Sequence, residues 1–140
     1  MGSRRDKKKG LSIGGKFTPI LNDEIGSKAF KDLSGGALRL LVLFKQAHSQ
    51  VGYKHGERQP IFAFPYSRAK KHGMSESTTR RAIRDLWHNG FIDVISIGGL
   101  RGAGRTNSQY KMAELWRTYG NPWTDRTKFQ QDPFNVSEPI

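Results

Sequence analysis

Apolar residues at helical spacing predict helices in the first third of the chain. Residues 17–33 predict one or two short helices, and Ser27 is suited to cap the second. The Ser-Gly-Gly run at 34–36 then breaks the pattern. Residues 37–49 are apolar on nearly every side, which predicts a buried central helix rather than a surface one. Residues 51–60 hold two glycines and a proline and predict a loop.

Two further helices are predicted close together in the middle of the chain. Residues 67–72 form about one and a half turns before Gly73 ends the pattern. Ser75 has the side chain of a good N-cap, so a second helix is expected over residues 76–89. Gly90 then stands where a left-handed residue is common after a helix.

The remaining pattern predicts a small antiparallel sheet. Residues 61–64 read as a short strand ended by Pro65, and residues 91–97 and 107–112 as two strands of a hairpin around the glycine-rich turn 98–105. We expect Trp116 to fold back onto the domain as a core residue rather than a base-stacking platform. The hairpin side chains expected to face the core are Phe91, Ile95, Tyr110 and Met112.

The order of elements predicts an α+β fold, mainly helical with a small antiparallel sheet. Helix, strand, helix, short glycine-containing turn, helix and β-hairpin is the plan of a winged helix-turn-helix domain. We expect this domain, with an N-terminal helical extension, over residues 17–120. Residues 1–16 predict a disordered basic arm and residues 121–140 an irregular tail, in which Trp123, Phe129 and Phe134 are candidates for a partner surface or for internal packing.

The helix predicted over residues 76–89 has two distinct faces. Thr79, Ala82, Ile83, Leu86 and Trp87 form an apolar stripe, and hydroxyl and basic side chains occupy the rest. Such a helix is suited to reading DNA, because arginine donates two hydrogen bonds to guanine and short hydroxyls bond base edges. The simpler interpretation is a solvated basic surface. His72 and His88 are interpreted as helix C-terminal residues facing the negative end of the dipole.

The glycine-rich turn predicts a wing rather than a phosphate-binding loop. A P-loop or dinucleotide fingerprint requires a helix directly after the glycines, and here a strand follows. Arg101 and Arg105 could lie along a DNA backbone or reach the minor groove, or the turn could be an ordinary hairpin. Base reading is expected from Ser77, Thr78 and Arg81, and phosphate contacts from Arg80 and Arg84. The full set of predicted DNA-binding residues is Ser75, Ser77, Thr78, Arg80, Arg81, Arg84, Arg68, Lys70, Lys71, Arg101, Arg105 and Thr106.

Charge supports this interpretation. The 140 residues include 24 Lys and Arg against 12 Asp and Glu, a net charge of +12. Residues 1–20 carry +5 of this excess and residues 66–112 carry +6, whereas residues 113–140 sum to −1. A polyanion, most often nucleic acid, is the expected partner. The basic start is either a phosphate-seeking arm or a solubilising tail.

Other function classes find little support in the sequence. The chain has no cysteine, which excludes disulfides and thiolate metal sites and fits a cytoplasmic protein. The four histidines lack metal-ligand spacing and no serine lies in a nucleophile-elbow motif, so we expect no enzyme, no metal and no cofactor. No apolar run approaches the about 20 residues of a membrane span, so we expect no membrane partner. With no catalytic motif, we also expect no small-molecule substrate.

A family resemblance rests on the turn and the helix after it. The run GMSESTTRRAIRDL, followed by GFI at 90–92, resembles the winged helix-turn-helix DNA-binding proteins of prophages, plasmids and other mobile elements, including replication initiators and regulators. The similarity extends over about residues 16–117. It implies sequence-specific binding of double-stranded DNA, with no metal or catalytic residues. It leaves open transcription regulation, replication or complex assembly.

Two alternatives remain beside the DNA-binding hypothesis. The same fold could serve as a protein-interaction adaptor within a larger nucleoprotein assembly, with the arginines contacting acidic groups of a protein. Binding to RNA or structured single strands is the other, although no strand carries the paired exposed aromatics typical of an RNA-stacking platform. A homodimer is possible, but no self-complementary pattern indicates one.

Overall fold

The computed structural model describes residues 16–97, 100–101, 104–105, 107–122 and 133. Within these ranges the chain forms an α+β fold of five α-helices, one 3₁₀ helix and small antiparallel sheets. In chain order the elements are α1 Asn22–Ile25, α2 Lys28–Lys31, α3 Gly35–Ser49, β1 Tyr53–Lys54, β2 Glu57–Arg58, β3 Ile61–Ala63, α4 Tyr66–Lys71, α5 Glu76–His88, β4 Ile92–Ser96, β5 Leu100–Arg101, β6 Gly104–Arg105, β7 Gln109–Met112 and the 3₁₀ helix Leu115–Thr118.

Helix α3 is the central element, as its apolar sequence predicted. Ser34 caps it, because the Ser34 Oγ accepts a hydrogen bond of 3.1 Å from the Ala37 amide. The helix therefore starts at Gly35, two residues earlier than expected, and both glycines of the predicted break lie in its first turn. Val42 is 44% exposed, so the helix is not buried on every side. Its buried residues are Ala37, Leu40, Leu41, Leu43, Phe44 and Ala47.

The core lies between α3 and a three-stranded antiparallel sheet of order β3-β7-β4. Tyr110 of the middle strand pairs with Phe62 of β3 and with Val94 of β4. The Phe44 ring of α3 lies 5.3 Å from the Phe62 ring and 4.8 Å from the Tyr110 ring, centroid to centroid. This aromatic cluster joins the helix to the sheet. Burial raises the pKa of Tyr110 to about 12.

The predicted hairpin forms, but one of its residues faces the opposite way. Strands β4 and β7 pair with a register shift between Val94 and Ser96. An extra residue at such a bulge changes which side chains point to the core. Ile95, predicted to face the core, is 43% exposed, whereas Phe91 and Tyr110 are fully buried as predicted. Met112 is half-buried against the core.

The segment predicted as a loop at 51–60 contains a second small hairpin. Strands β1 and β2 pair through Tyr53 with Arg58 and Lys54 with Glu57. His55 and Gly56 form its two-residue turn with φ of +56° and +83°. A tight hairpin turn of this kind requires positive φ at both positions. The Arg58 guanidinium donates to the carbonyl of Ser49, the last residue of α3, and to the Val51 carbonyl at 3.2 Å, which holds the hairpin to the end of α3.

The first two helices dock onto α3 through a buried ion pair. Lys45 Nζ lies 2.8 Å from Glu24 Oε1, with only 16% and 3% of the two side chains exposed. Ser27 caps α2 as predicted, accepting a hydrogen bond of 3.1 Å from the Phe30 amide. Asn89, the residue just after α5, donates from its side-chain amide to the Ala29 carbonyl of α2 at 3.0 Å. The N-terminal segment is therefore part of the same core.

Gly90 ends α5 in the left-handed conformation that the sequence predicted, with φ of +90°. The 3₁₀ helix crosses directly over it, and Trp116 is buried with its ring stacked on Phe91 at 6.0 Å and 11° between planes. A Cβ at Gly90 would lie 2.5 Å from the Trp116 backbone nitrogen. Only glycine fits between the end of α5 and the 3₁₀ helix.

Gly90→Ala is therefore expected to destabilise the protein by at least about 3 kcal/mol, because it adds a backbone clash to an unfavourable φ. Gly120→Ala is the matched control. Gly120 has φ of +93°, but no atom lies within 4 Å of the added Cβ, so only the conformational cost remains. We expect that cost to be about 1 kcal/mol. Urea denaturation of both variants measures the difference, and equal losses would contradict the packing argument.

Several predictions lie outside the described residues. They are the disordered arm before Lys16, Thr106, the tail aromatics Trp123, Phe129 and Phe134, and the side chains of Arg101 and Arg105. No helix in the described ranges is long and apolar enough to cross a membrane.

Candidate nucleic-acid interface

Buried apolar residues and a cation from α3 hold the turn between α4 and α5 in place. Ala69 and Met74 are buried, and the Met74 amide donates to the Ala69 carbonyl at 3.1 Å. The Arg39 guanidinium of α3 donates to the His72 carbonyl at the end of α4. A cation at this end of a helix satisfies an unpaired carbonyl and opposes the negative dipole. Helices α3 and α4 therefore determine where α5 begins.

The start of α5 is held by a network of hydroxyl groups. The Ser75 Oγ accepts from the Thr78 amide at 3.2 Å and bonds the Thr78 hydroxyl at 3.0 Å. Thr79 Oγ1 donates to the Ser75 carbonyl at 2.8 Å. Ser75 is thus the predicted N-cap, and its hydroxyl is already engaged. Ser77 remains exposed, with its Oγ 3.4 Å from that of Ser75.

Helix α5 is two-faced, as its sequence predicted. Its apolar stripe is fully buried against the rest of the domain, and its opposite side faces solvent. We call the exposed side the arginine face. The buried residues are Thr79, Ala82, Ile83, Leu86 and Trp87, and the arginine face comprises Ser77, Arg80, Arg81, Arg84 and His88.

The arginines of this face have different surroundings. Arg80 Nη2 lies 2.8 Å from Glu76 Oε2, and its guanidinium lies 5.8 Å from the centre of the Tyr66 ring. A hydrogen bond with the Tyr66 side chain is the main cause that raises the pKa of Arg80. Arg81, by contrast, has no hydrogen bond or ion pair with the described residues and is exposed. Arg84 is exposed as well.

A cleft of about 350 Å³ runs beside the arginine face, between α5 and the start of α3. Arg81 and Arg84 line it on the α5 side. Asp85, which also lines it, is half-buried and accepts a hydrogen bond of 2.9 Å from the Ser34 hydroxyl. The same Ser34 hydroxyl caps α3, so it joins the start of that helix to one carboxylate oxygen of Asp85. The cleft is therefore lined by two cations and a tethered carboxylate.

Of the predicted DNA contacts on α4, one is bound to the far end of α3. Arg68 is half-buried and donates to the side chains of Gln46 at 3.1 Å and Gln50 at 2.8 Å. Gln46 lies in the last turn of α3 and Gln50 just after it, so the guanidinium is already engaged within the protein. This geometry favours a structural role for Arg68. Lys70 and Lys71 are exposed on α4.

The wing has more regular backbone than the predicted glycine-rich turn. Beyond β4, Leu100 pairs with Arg105 and Arg101 with Gly104 as a short antiparallel ladder. The backbone of both predicted wing arginines therefore lies in a two-stranded antiparallel sheet of its own, which falls between β4 and β7 along the chain.

Sequence reasoning did not predict three contacts that shape this surface: Glu76 with Arg80, Tyr66 with Arg80, and Arg39 with His72. Glu76 and Arg80 are spaced i, i+4, a signal for a helical ion pair that the sequence already contained. Tyr66 and Arg39 carry no such local signal, because each reaches the surface from a different helix.

The chain shows no significant match to any known family model, curated protein or solved structure. Among the described residues, no group of three or more His, Cys, Asp and Glu side chains is placed to hold a metal ion.

Ser75→Ala is expected to lower the free energy of unfolding by about 1 kcal/mol, because it removes the N-cap of α5. Ser77→Ala is the matched control two residues away, since its exposed hydroxyl does not cap the helix. We expect the control to change stability by no more than about 0.5 kcal/mol. Thermal and urea unfolding monitored by circular dichroism test the pair. Similar losses in both variants would contradict the assignment of the cap.

Proposed function

We propose that this protein is a sequence-specific double-stranded DNA-binding protein of the winged helix-turn-helix type. The observation that carries the proposal is α5, which buries its whole apolar stripe and leaves hydroxyl and guanidinium groups exposed on the other side. A recognition helix needs this division, because one side must hold the helix in place while the other enters the major groove.

The topology supports the same proposal. Helices α3, α4 and α5 follow in the order of a helix-turn-helix with its supporting helix, and strand β3 precedes the pair. Strands β3, β7 and β4 form the small sheet, and the paired strands β5 and β6 lie between β4 and β7 along the chain, where the wing is expected. In this arrangement α5 is the recognition helix and the wing lies on the backbone or in the minor groove.

Two groups of residues have different roles in the proposed mechanism. Lys70, Lys71, Arg84 and the wing arginines neutralise phosphates and release counterions, which supplies affinity without sequence preference. Ser77 and Arg81 contact base edges, which supplies specificity. Arg81 is suited to this role because its guanidinium is exposed and not paired with a described residue, so its donors are available to guanine O6 and N7.

The direct test is selection of bound duplexes from a random pool, followed by fluorescence anisotropy titration of the selected and a scrambled duplex at several salt concentrations. We expect a clear sequence preference and a fall of log K with log salt. Six phosphate contacts would give a slope of about −5. Binding in the micromolar range or weaker with no sequence preference would refute the proposal and favour a protein-interaction adaptor. Stronger binding to RNA than to duplex DNA would also refute it.

Arg81→Ala is expected to weaken binding to the selected duplex by about 1–3 kcal/mol and to relax the preference at one base position. Binding to scrambled DNA should change much less. Lys31→Ala is the matched control, since it removes one exposed positive charge from α2, outside the proposed interface. Equal losses on selected and scrambled duplexes would show that Arg81 contacts the backbone rather than a base.

A further inference from the structure

Glu76 and Arg80 form a paired acceptor and donor on the first two turns of α5. Arg80 Nη2 and Glu76 Oε2 are 2.8 Å apart, and the two side chains are 54% and 63% exposed. The contact engages one nitrogen of the guanidinium and one oxygen of the carboxylate. A guanidinium has five N–H donors in all, and a carboxylate has a second oxygen that can accept. Both groups therefore keep hydrogen-bonding capacity towards solvent.

The pair is poorly suited to a DNA phosphate. Its two charges cancel, so it adds little to counterion release, which depends on unneutralised Lys and Arg. The Glu76 carboxylate would also repel a phosphate bound beside Arg80. The contact with phosphate expected for Arg80 from the sequence is therefore disfavoured by its partner.

The same pair matches the major-groove edge of a G·C base pair. Guanine presents two acceptors, O6 and N7, and cytosine presents one donor, N4. Resting on the proposed function, we propose that Glu76 and Arg80 together read one G·C pair, Arg80 donating to guanine and Glu76 accepting from cytosine.

Tyr66 restrains Arg80 before DNA binds. Its ring centre lies 5.8 Å from the Arg80 guanidinium, within the range of a cation–π contact. An unrestrained arginine loses much rotamer freedom when it is ordered at an interface. For Arg80, Glu76 and Tyr66 have already removed part of that freedom. Glu76 thus acts both as a base contact and as a positioning residue for Arg80.

The test compares base preferences of Glu76→Ala and Arg80→Lys with the wild type, using every single-base variant of the selected duplex. We expect both substitutions to reduce the preference for G·C at one and the same position by about 5- to 100-fold. Arg80→Lys keeps the charge but loses the planar fork. Its salt dependence should therefore equal that of the wild type. Glu76→Ala should leave binding to scrambled DNA unchanged or tighter, since it removes a negative charge.

Glu114→Ala is the matched control, because Glu114, just before the 3₁₀ helix, forms a similar exposed pair with Arg117 at 3.0 Å. We expect it to leave every base preference unchanged. Tyr66→Ala, which removes the ring beside the Arg80 guanidinium, should give a smaller loss at the same position as Arg80→Lys. Circular dichroism confirms that each variant is folded before it is titrated.

Three outcomes overturn the inference. Uniformly tighter binding of Glu76→Ala to all duplexes, with preferences intact, would show that Glu76 acts through charge alone. Intact preferences in Arg80→Lys would assign Arg80 to the backbone. In both cases the proposed function would still hold if the wild-type protein showed a sequence preference. A wild type without any sequence preference would instead refute the proposed function and this inference together.

Discussion

The packing of α5 onto α3 is the contact on which the other features depend. Ile83 and Leu86 are fully buried in the core that α3 shares with the sheet. Near the start of both helices a Cβ on Gly36 would lie only 3.3 Å from a Thr78 methyl group, so the helices approach closely there. Because burial of about 25 cal/mol per Å² drives this contact, the helix has one orientation. The side of α5 that remains exposed is therefore the basic side.

Acidic side chains are distributed so that this basic side is only partly neutralised. Glu24 is buried in an ion pair with Lys45, and Asp32 bonds Lys28 and the Tyr119 hydroxyl, all away from α5. On α5 itself, Glu76 is paired with an arginine of the same face. Arg81 of the same face, by contrast, has no hydrogen bond or ion pair with the described residues, so its positive charge is not neutralised by a neighbour.

The sequence predicted most elements because their signals are local. Ser27 and Ser75 were recognisable caps, and Gly90 was a recognisable end for α5. The errors arose where pairing partners decide the structure. The bulge that exposes Ile95 depends on the register of β4 against β7, and the hairpin at 51–60 is too short to show an alternating pattern. Neither register nor a two-residue strand is encoded in hydrophobic periodicity.

The sequence by itself determined that α5 is an amphipathic, capped and basic helix, since helical periodicity places residues three and four apart on one face. Tertiary structure alone decided what each cation does. Arg68 is bound by Gln46 of α3 and by Gln50 just after it, Arg39 holds the turn before α5, and Arg80 is restrained by Tyr66. These contacts join residues from different helices, and a local pattern carries no information on which distant side chains meet once the core has formed.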